Sequence, residues 1–194
     1  MDLGLAGKRA AVAASSSGLG LATARALLAE GASVAVCGRD ETRLARAVEL
    51  LADEAPTATG PNGVIGVLAD VGTTDGAAAF VEEAADHLGG VDILVPNAGG
   101  PPAGSFESLD LAEYGRALEL NLLSTVAMCQ AAVPGMRQQG WGRVVAITSI
   151  SVRQPIEGLI LSNTARAGVT GFLKTLAPEG APAGVTVNTG QPGS

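Results

Sequence analysis

Short, nearly continuous apolar runs alternate along the chain with longer stretches in which apolar residues recur every three or four positions. Runs of the first kind suit strands buried on both faces, and stretches of the second suit amphipathic helices. Strands are predicted at residues 9–14, 32–37, 64–69, 91–95, 142–148 and 185–188, and helices at 19–30, 41–54, 73–88, 111–139 and 156–176. Residues 56–63 read as a polar connection, the run 96–102 with its three prolines cannot be helical, and Pro178, Gly180 and Pro182 are expected to end the last helix early. Strand-helix alternation of this kind makes a parallel sheet covered on both faces, so one α/β doubly wound domain over residues 1–194 is expected. The expected strand order is 3-2-1-4-5-6, with a ligand across the point where the order reverses.

The stretch between the first strand and the first helix, Val12 to Gly20, reads Val-Ala-Ala-Ser-Ser-Ser-Gly-Leu-Gly. Gly18 and Gly20 let a backbone approach a ligand with no Cβ in the way, and the helix that follows aims its unpaired N–H groups at the same spot. An anion fits there, although such a cluster taken alone suits an ordinary loop equally well. A dinucleotide fingerprint has three glycines, and here the first place is Ala14. A methyl group is tolerable at Ala14 if the turn keeps a negative φ.

Composition narrows the choices. With 194 residues, 47% hydrophobic but only 3% aromatic, the core is built from Ala, Val, Leu and Ile, as suits helices on a parallel sheet. A net charge of −7 with no cluster of Lys and Arg argues against nucleic acid. No unbroken apolar run approaches the ~20 residues of a membrane span and no signal segment is visible, so a cytoplasmic protein is expected. Cys37 and Cys129 lack metal-type spacing and read as small buried hydrophobes.

Candidate chemistry sits at the predicted strand ends. The second strand ends at Gly38-Arg39-Asp40, about 20 residues past the glycine turn, where an arginine suits a ribose 2′-phosphate and an acid suits the free hydroxyl. Arg39 leans toward NADP, though it also suits a solvated loop, and Asp40 could hold a ribose hydroxyl or cap the next helix. Asp70-Val71 closes the third strand, the Asn97-Ala98-Gly99 loop follows the fourth, and Ser149 follows the fifth. Asn121 lies among leucines of the long helix and, if buried, needs partners. His87 reads as a surface residue at a helix end.

Together these landmarks resemble the short-chain dehydrogenase/reductase family, particularly its 3-oxoacyl-(acyl-carrier-protein) reductase-like members, and the resemblance spans the whole chain. It rests on the Ala14-x-x-x-Gly18-x-Gly20 turn, Asp70-Val71, Asn97-Ala98-Gly99, Asn121, Gly142-Arg143-Val144-Val145 running to Ser149, and Val187-Asn188 before Pro192-Gly193. It implies a Rossmann-type fold and NADP(H) favoured over NAD(H). Ala14, Ser16, Ser17, Gly18, Leu19 and Gly20 would hold pyrophosphate, and Asp70 and Val71 would bracket the adenine. Asn97, Ala98, Gly99, Pro192 and Gly193 would lie on the nicotinamide side, while Ser149 would orient a substrate carbonyl. It also implies a homo-dimer or homo-tetramer built on the helices at 111–139 and 156–176, acting on a small-molecule or acyl-carrier-bound carbonyl.

The family's Tyr-x-x-x-Lys signature falls on Ser162-Asn163-Thr164-Ala165-Arg166. An aliphatic hydroxyl is a far weaker acid than a phenol of pKa ~10, so Ser162 is a poor proton donor. Arg166 keeps the positive charge and can hydrogen-bond a ribose hydroxyl, yet it cannot share a proton. Family members continue after Pro-Gly into a substrate lid and a last strand, which lie outside a sequence ending at Ser194. Two functions are therefore expected: an NADP(H)-dependent oxidoreductase with an atypical site using Ser149, Ser162, Arg166 and Asn121, or a catalytically impaired dinucleotide-binding or regulatory module.

Overall fold

Six short apolar runs pair in parallel into one sheet in a computed structural model that describes residues 3–54 and 63–192. The strands are β1 (Arg9–Val12), β2 (Ser33–Gly38), β3 (Val64–Leu68), β4 (Ile93–Val95), β5 (Gly142–Ile147) and β6 (Val185–Gly190). Their order is β3-β2-β1-β4-β5-β6, the order expected from the alternation of elements. Between them run α1 (Gly18–Ala29), α2 (Glu41–Glu54), α3 (Thr74–Leu88), α4 (Leu111–Leu118), α5 (Ser124–Gln138) and α6 (Ile160–Gly180). The predicted connection at 56–63 lies outside the described residues except for Gly63.

Alternate side chains of each strand enter opposite cores. Ala10, Val12, Val34, Val36, Ile93 and Val95 pack with Ala24 and Leu28 of α1 and Leu44 and Leu51 of α2. Ala11, Ala35, Cys37, Val67, Leu94 and Val144 face the other way, onto Phe80 of α3, Met128 and Met136 of α5 and Leu173 of α6. Burial on both faces explains why the strands read as continuous apolar runs. β5 and the edge strands β3 and β6 are covered less fully: Val144 and Ala146 are buried while Val145 is 39% and Leu68 57% exposed.

Two predicted helices differ from expectation. The run 111–139 is broken by a π turn, Glu119–Leu123, with Asn121 at its centre. By length and composition alone Leu111–Gln138 could cross a membrane, but Met128, Cys129, Ala132 and Met136 lie in the sheet's core. The last helix begins at Ile160 rather than 156 because Gly158 is left-handed, φ +73°, and the Asn163 amide binds the Ile156 carbonyl at 2.9 Å. It then passes through Pro178 to Gly180 rather than stopping at 176. A proline this near the end removes only one helical hydrogen bond, and the helix is closed by the Ala181 N–H on Ala177.

At the N-terminal edge of the sheet Arg9 grips Asp92 with Nε at 2.8 Å and Nη2 at 2.7 Å. Gln139 joins both, accepting from Arg9 at 2.8 Å and donating to Asp92 at 2.9 Å. Burial pushes the Asp92 carboxyl up, but hydrogen bonds and charge from Arg9, with the charge of Lys8, hold it below its ordinary value. The Trp141 ring beside them carries Lys8 at 4.0 Å and Arg143 at 4.3 Å from its centroid. This polar assembly ties β1, β4 and β5 together at the edge opposite the strand ends that carry the candidate residues.

Candidate functional site

Chain order reverses between β1 and β4, so their following loops diverge and leave a crevice. A cleft of about 480 Å³ opens there. Its floor is the turn between β1 and α1, from which Ala14, Ser16, Ser17 and Leu19 line it. Gly20 lies behind them: a Cβ on it would stand 2.4 Å from the Ala14 carbonyl oxygen and 2.8 Å from Ser15 Cα. Only glycine lets α1 begin this close to the turn. Gly18 is left-handed, φ +58°, with open space where its Cβ would be. Ala14 departs from expectation, with φ +46° rather than a negative φ, and it is the one non-glycine residue with positive φ among those described.

The second wall comes from β2 and α2. Arg39 is 80% exposed, with Nη1 3.9 Å from Asp70 Oδ2. Asp40 takes the capping role left open above: its Oδ1 accepts the Arg43 N–H at 2.8 Å. Arg43, one turn into α2, also lines the cleft, and periodicity gave no reason to single it out from the other charged residues of that helix. Asp70, Val71 and Gly72 continue the wall beyond β3, with Asp70 Oδ1 accepting the Gly72 N–H at 2.9 Å.

Asn97, Ala98 and Gly99 line the far end. The Asn97 amide donates back to the turn, to the carbonyls of Ala13 at 3.3 Å and Ala14 at 3.4 Å. Asn121 donates to the Gly99 carbonyl at 3.0 Å, which fastens the π turn to the cleft. Its Oδ1 is buried and has no hydrogen-bond partner among the described residues. π turns recur where a helix must present a functional group.

Ser149 and Pro192 follow the ends of β5 and β6, and Arg166 of α6 reaches the end of β5; neither they nor Ser162 of the same helix line the cleft. The Ser149 hydroxyl accepts the Ser151 N–H at 3.1 Å, which leaves its own proton free to donate. Ser162 is half-buried one turn before Arg166 on α6, the same helix face. Arg166 Nη1 donates to the carbonyls of Ile147 at 3.0 Å and Thr148 at 3.2 Å, and burial lowers its pKa. No hydrogen bond joins Ser149, Ser162 and Arg166 to one another among the described residues. Gly193 lies outside the described residues.

Neither cysteine belongs to the cleft's surface; burial pushes the Cys37 and Cys129 thiols up to about 12. His87 is exposed beside Glu83, 3.8 Å away, at the end of α3.

A parallel sheet in this order, with a glycine turn at the switch point and arginines on the adjacent strand end, defines a doubly wound nucleotide-binding fold. The chain belongs to the short chain dehydrogenase family, whose model matches residues 8–194. It is 35% identical over 190 residues to human dehydrogenase/reductase SDR family member 4, covering 97% of this chain and 66% of that relative's length. Among solved structures it is similar to the L-sorbose reductase of Gluconobacter frateurii complexed with NADPH and L-sorbose, with TM-score 0.93, 34% identity, and coverage of 100% of this chain and 72% of that one. A short chain oxidoreductase of Pseudomonas aeruginosa PAO1, solved with NADPH and described as containing an atypical catalytic center, matches with TM-score 0.85 and 32% identity over 95% of this chain and 71% of its own.

Proposed function

We propose that this chain is an NADP(H)-dependent oxidoreductase interconverting a carbonyl and a secondary alcohol. The observation that carries the reading is the cleft: a turn whose Gly20 admits no Cβ, facing two arginines at the end of β2 and start of α2. These residues fit a dinucleotide. The turn at 14–20 would hold its pyrophosphate, and Arg39 and Arg43 its 2′-phosphate. Asp70 and Val71 would flank the adenine, and the loop at 97–99 with Arg166, Pro192 and Gly193 would lie toward the nicotinamide. Hydride transfer is the chemistry a bound nicotinamide supplies.

The remaining work falls to side chains near the ends of β5 and β6. Ser149, its oxygen already accepting from Ser151, would donate a hydrogen bond to the substrate oxygen and keep its proton. Ser162 stands where the family has its tyrosine. An aliphatic hydroxyl there leaves proton delivery to solvent and is expected to slow the reaction by ~10²–10⁴. Asn121 holds the Gly99 loop in place. The Pseudomonas neighbour with NADPH and an atypical catalytic center lends support.

The substrate we favour is of 3-oxoacyl type, free or carrier-bound, in the cytoplasm. Residues 1–194 are read as one domain, assembling as a homo-dimer or homo-tetramer through α4, α5 and α6 with the π turn between α4 and α5, where Leu111 is 87% and Leu123 46% exposed. A second reading, a catalytically impaired dinucleotide-binding module, is favoured by one observation: Arg166 spends its Nη1 on main-chain carbonyls.

Parallel fluorescence titrations with NADPH and NADH test the binding, and NADPH oxidation over a panel of 3-oxoacyl thioesters tests the chemistry. NADPH-preferred binding with turnover supports the oxidoreductase. Binding without turnover, followed by a large gain in the Ser162→Tyr, Arg166→Lys double variant, supports the impaired module. Binding of neither dinucleotide refutes both.

A further inference from the structure

Ala14 raises a question that the fingerprint glycines do not. A left-handed backbone is free for glycine but strained for alanine, and such strain persists only where the surroundings over-determine it. The register shows what surrounds it. β1 pairs with β2 only as far as Val12 opposite Val36, and the next amide, Ala13 N–H, crosses to the Val95 carbonyl of β4 at 3.0 Å. The Ala14 N–H falls between the two ladders, where no strand carbonyl serves it.

Cys37 meets it there. The Ala14 N–H donates to Cys37 Sγ at 3.3 Å. The Ser15 N–H donates to the Cys37 carbonyl at 2.9 Å. In return the Cys37 N–H donates to Ser15 Oγ at 2.9 Å, and that hydroxyl donates to the Val12 carbonyl at 2.6 Å. All three polar atoms of Cys37 thus meet two consecutive residues of the turn, and Sγ also donates to the Val12 carbonyl at 4.0 Å. Cys37 and Ser15 are 0% exposed, so water cannot replace any of these bonds.

We propose that Cys37 and Ser15 are positioning residues: a buried clamp from the end of β2 that holds Ala14 left-handed and thereby sets the shape of the dinucleotide turn. The idea rests on the dinucleotide reading above. It supplies what the missing first glycine would otherwise supply. With Ala14 held, its carbonyl points at the gap over Gly20 and accepts from Asn97 at 3.4 Å, which links β2, β4 and α1 around one peptide.

The test compares wild type with Cys37→Ala, Cys37→Ser and Ser15→Ala, each alone and with Ala14→Gly. Amide exchange in the protein without dinucleotide judges the clamp itself. Cys37→Ala is expected to speed exchange at Ala14 about tenfold while Ala13, bonded to Val95, is unchanged. NADPH titration then judges its use: about three- to tenfold weaker binding in Cys37→Ala, a smaller loss in Cys37→Ser, and recovery when Ala14→Gly is added. Should Cys37→Ala fail to fold, Ser15→Ala and Cys37→Ser carry the same comparison. Lower thermal stability with unchanged Ala14 exchange and unchanged NADPH affinity overturns the proposal, and so does failure of the glycine to rescue. Absence of dinucleotide binding in wild type instead refutes the dinucleotide reading, while the exchange data still decide whether the clamp exists.

Discussion

Replacing Gly20 by alanine separates packing for stability from packing for a ligand. The new Cβ would start 2.4 Å from the Ala14 carbonyl oxygen, and contacts under 3.0 Å essentially never occur, so the two segments must part by at least 0.6 Å. The atoms in the way are backbone, namely Ala14 O, Ala14 C and Ser15 Cα, so no side chain can swing aside. Overpacking of this kind costs about 1–3 kcal/mol. Gly20 is helical, however, and alanine recovers about 1 kcal/mol of helix propensity. The net destabilisation is therefore small, about 0–2 kcal/mol, or a fall of no more than about 8 °C in Tm for a chain of this size. Dinucleotide affinity has no such compensation, since the start of α1 moves away from the turn it must share a ligand with. Loss of at least about tenfold in NADPH affinity is expected beside the modest change in Tm. Gly171→Ala is the control: it lies in α6 with open space at its Cβ, so Tm should rise slightly and affinity should not move. Wild-type NADPH affinity in Gly20→Ala, measured alongside a normal melt, would refute the assignment of this turn as the phosphate cradle.

Arg39→Ala should weaken NADPH by about 10- to 100-fold and NADH by less than about twofold, because a charge-assisted bond to a 2′-phosphate is the only difference; equal losses in the two titrations refute NADP selectivity. Cys37 and Cys129, with thiols pushed up to about 12, should react with a disulfide reagent at pH 8 only as fast as the fold opens. Fast labelling of the native protein contradicts that burial. Asp92, held below its ordinary value by Arg9, contributes stability that is fully present above the unfolded carboxyl value near ~3.9 and lost as pH falls through the folded one. Urea midpoints from pH 7 to pH 3 should therefore fall more steeply in wild type than in Asp92→Asn, and parallel profiles would show that the pair adds nothing.

The sheet order was legible because periodicity is a long-range property: six apolar runs of strand length spaced by helix-length segments leave few topologies. Local departures were not, and each has a physical cause. The π turn at Glu119–Leu123 inserts one residue into a leucine-rich stretch, so Leu118, Leu120, Leu122 and Leu123 read alike whether or not the helix widens there. The late start of α6 depends on a side chain, Asn163, reaching back seven residues to Ile156. At the cleft, the glycines and the residues at strand ends could be placed by spacing. Arg43 and Cys37 could not, because their relevance lies in where the fold brings them, Arg43 to the cleft wall and Cys37 against the turn after β1.

If Ser162 and Arg166 replace the tyrosine and lysine of the family signature, as proposed, Arg166 shows how one departure constrains another. A lysine carries a compact charge on a flexible stem, whereas a guanidinium presents its N–H groups in a fixed planar fork. Arg166 uses Nη1 to bridge two successive carbonyls, Ile147 and Thr148, at the point where β5 gives way to Ser149. Thr148 is held from the other side, its N–H on the Gly190 carbonyl at 2.8 Å and its hydroxyl on the same oxygen at 2.9 Å. The backbone leading into Ser149 is thus fixed by α6 and by β6 together. The Nε and Nη2 groups of the guanidinium keep three N–H donors for a ligand, all of them pure donors, so the group can hold a ribose or stabilise an oxyanion but cannot relay a proton. A serine at 162 asks for no neighbour to lower its pKa into range, since none could lower an aliphatic hydroxyl far enough. Under the proposed oxidoreductase reading the Ser162 and Arg166 pair is therefore self-consistent: it would orient a dinucleotide and polarise an oxygen, leaving the proton to water.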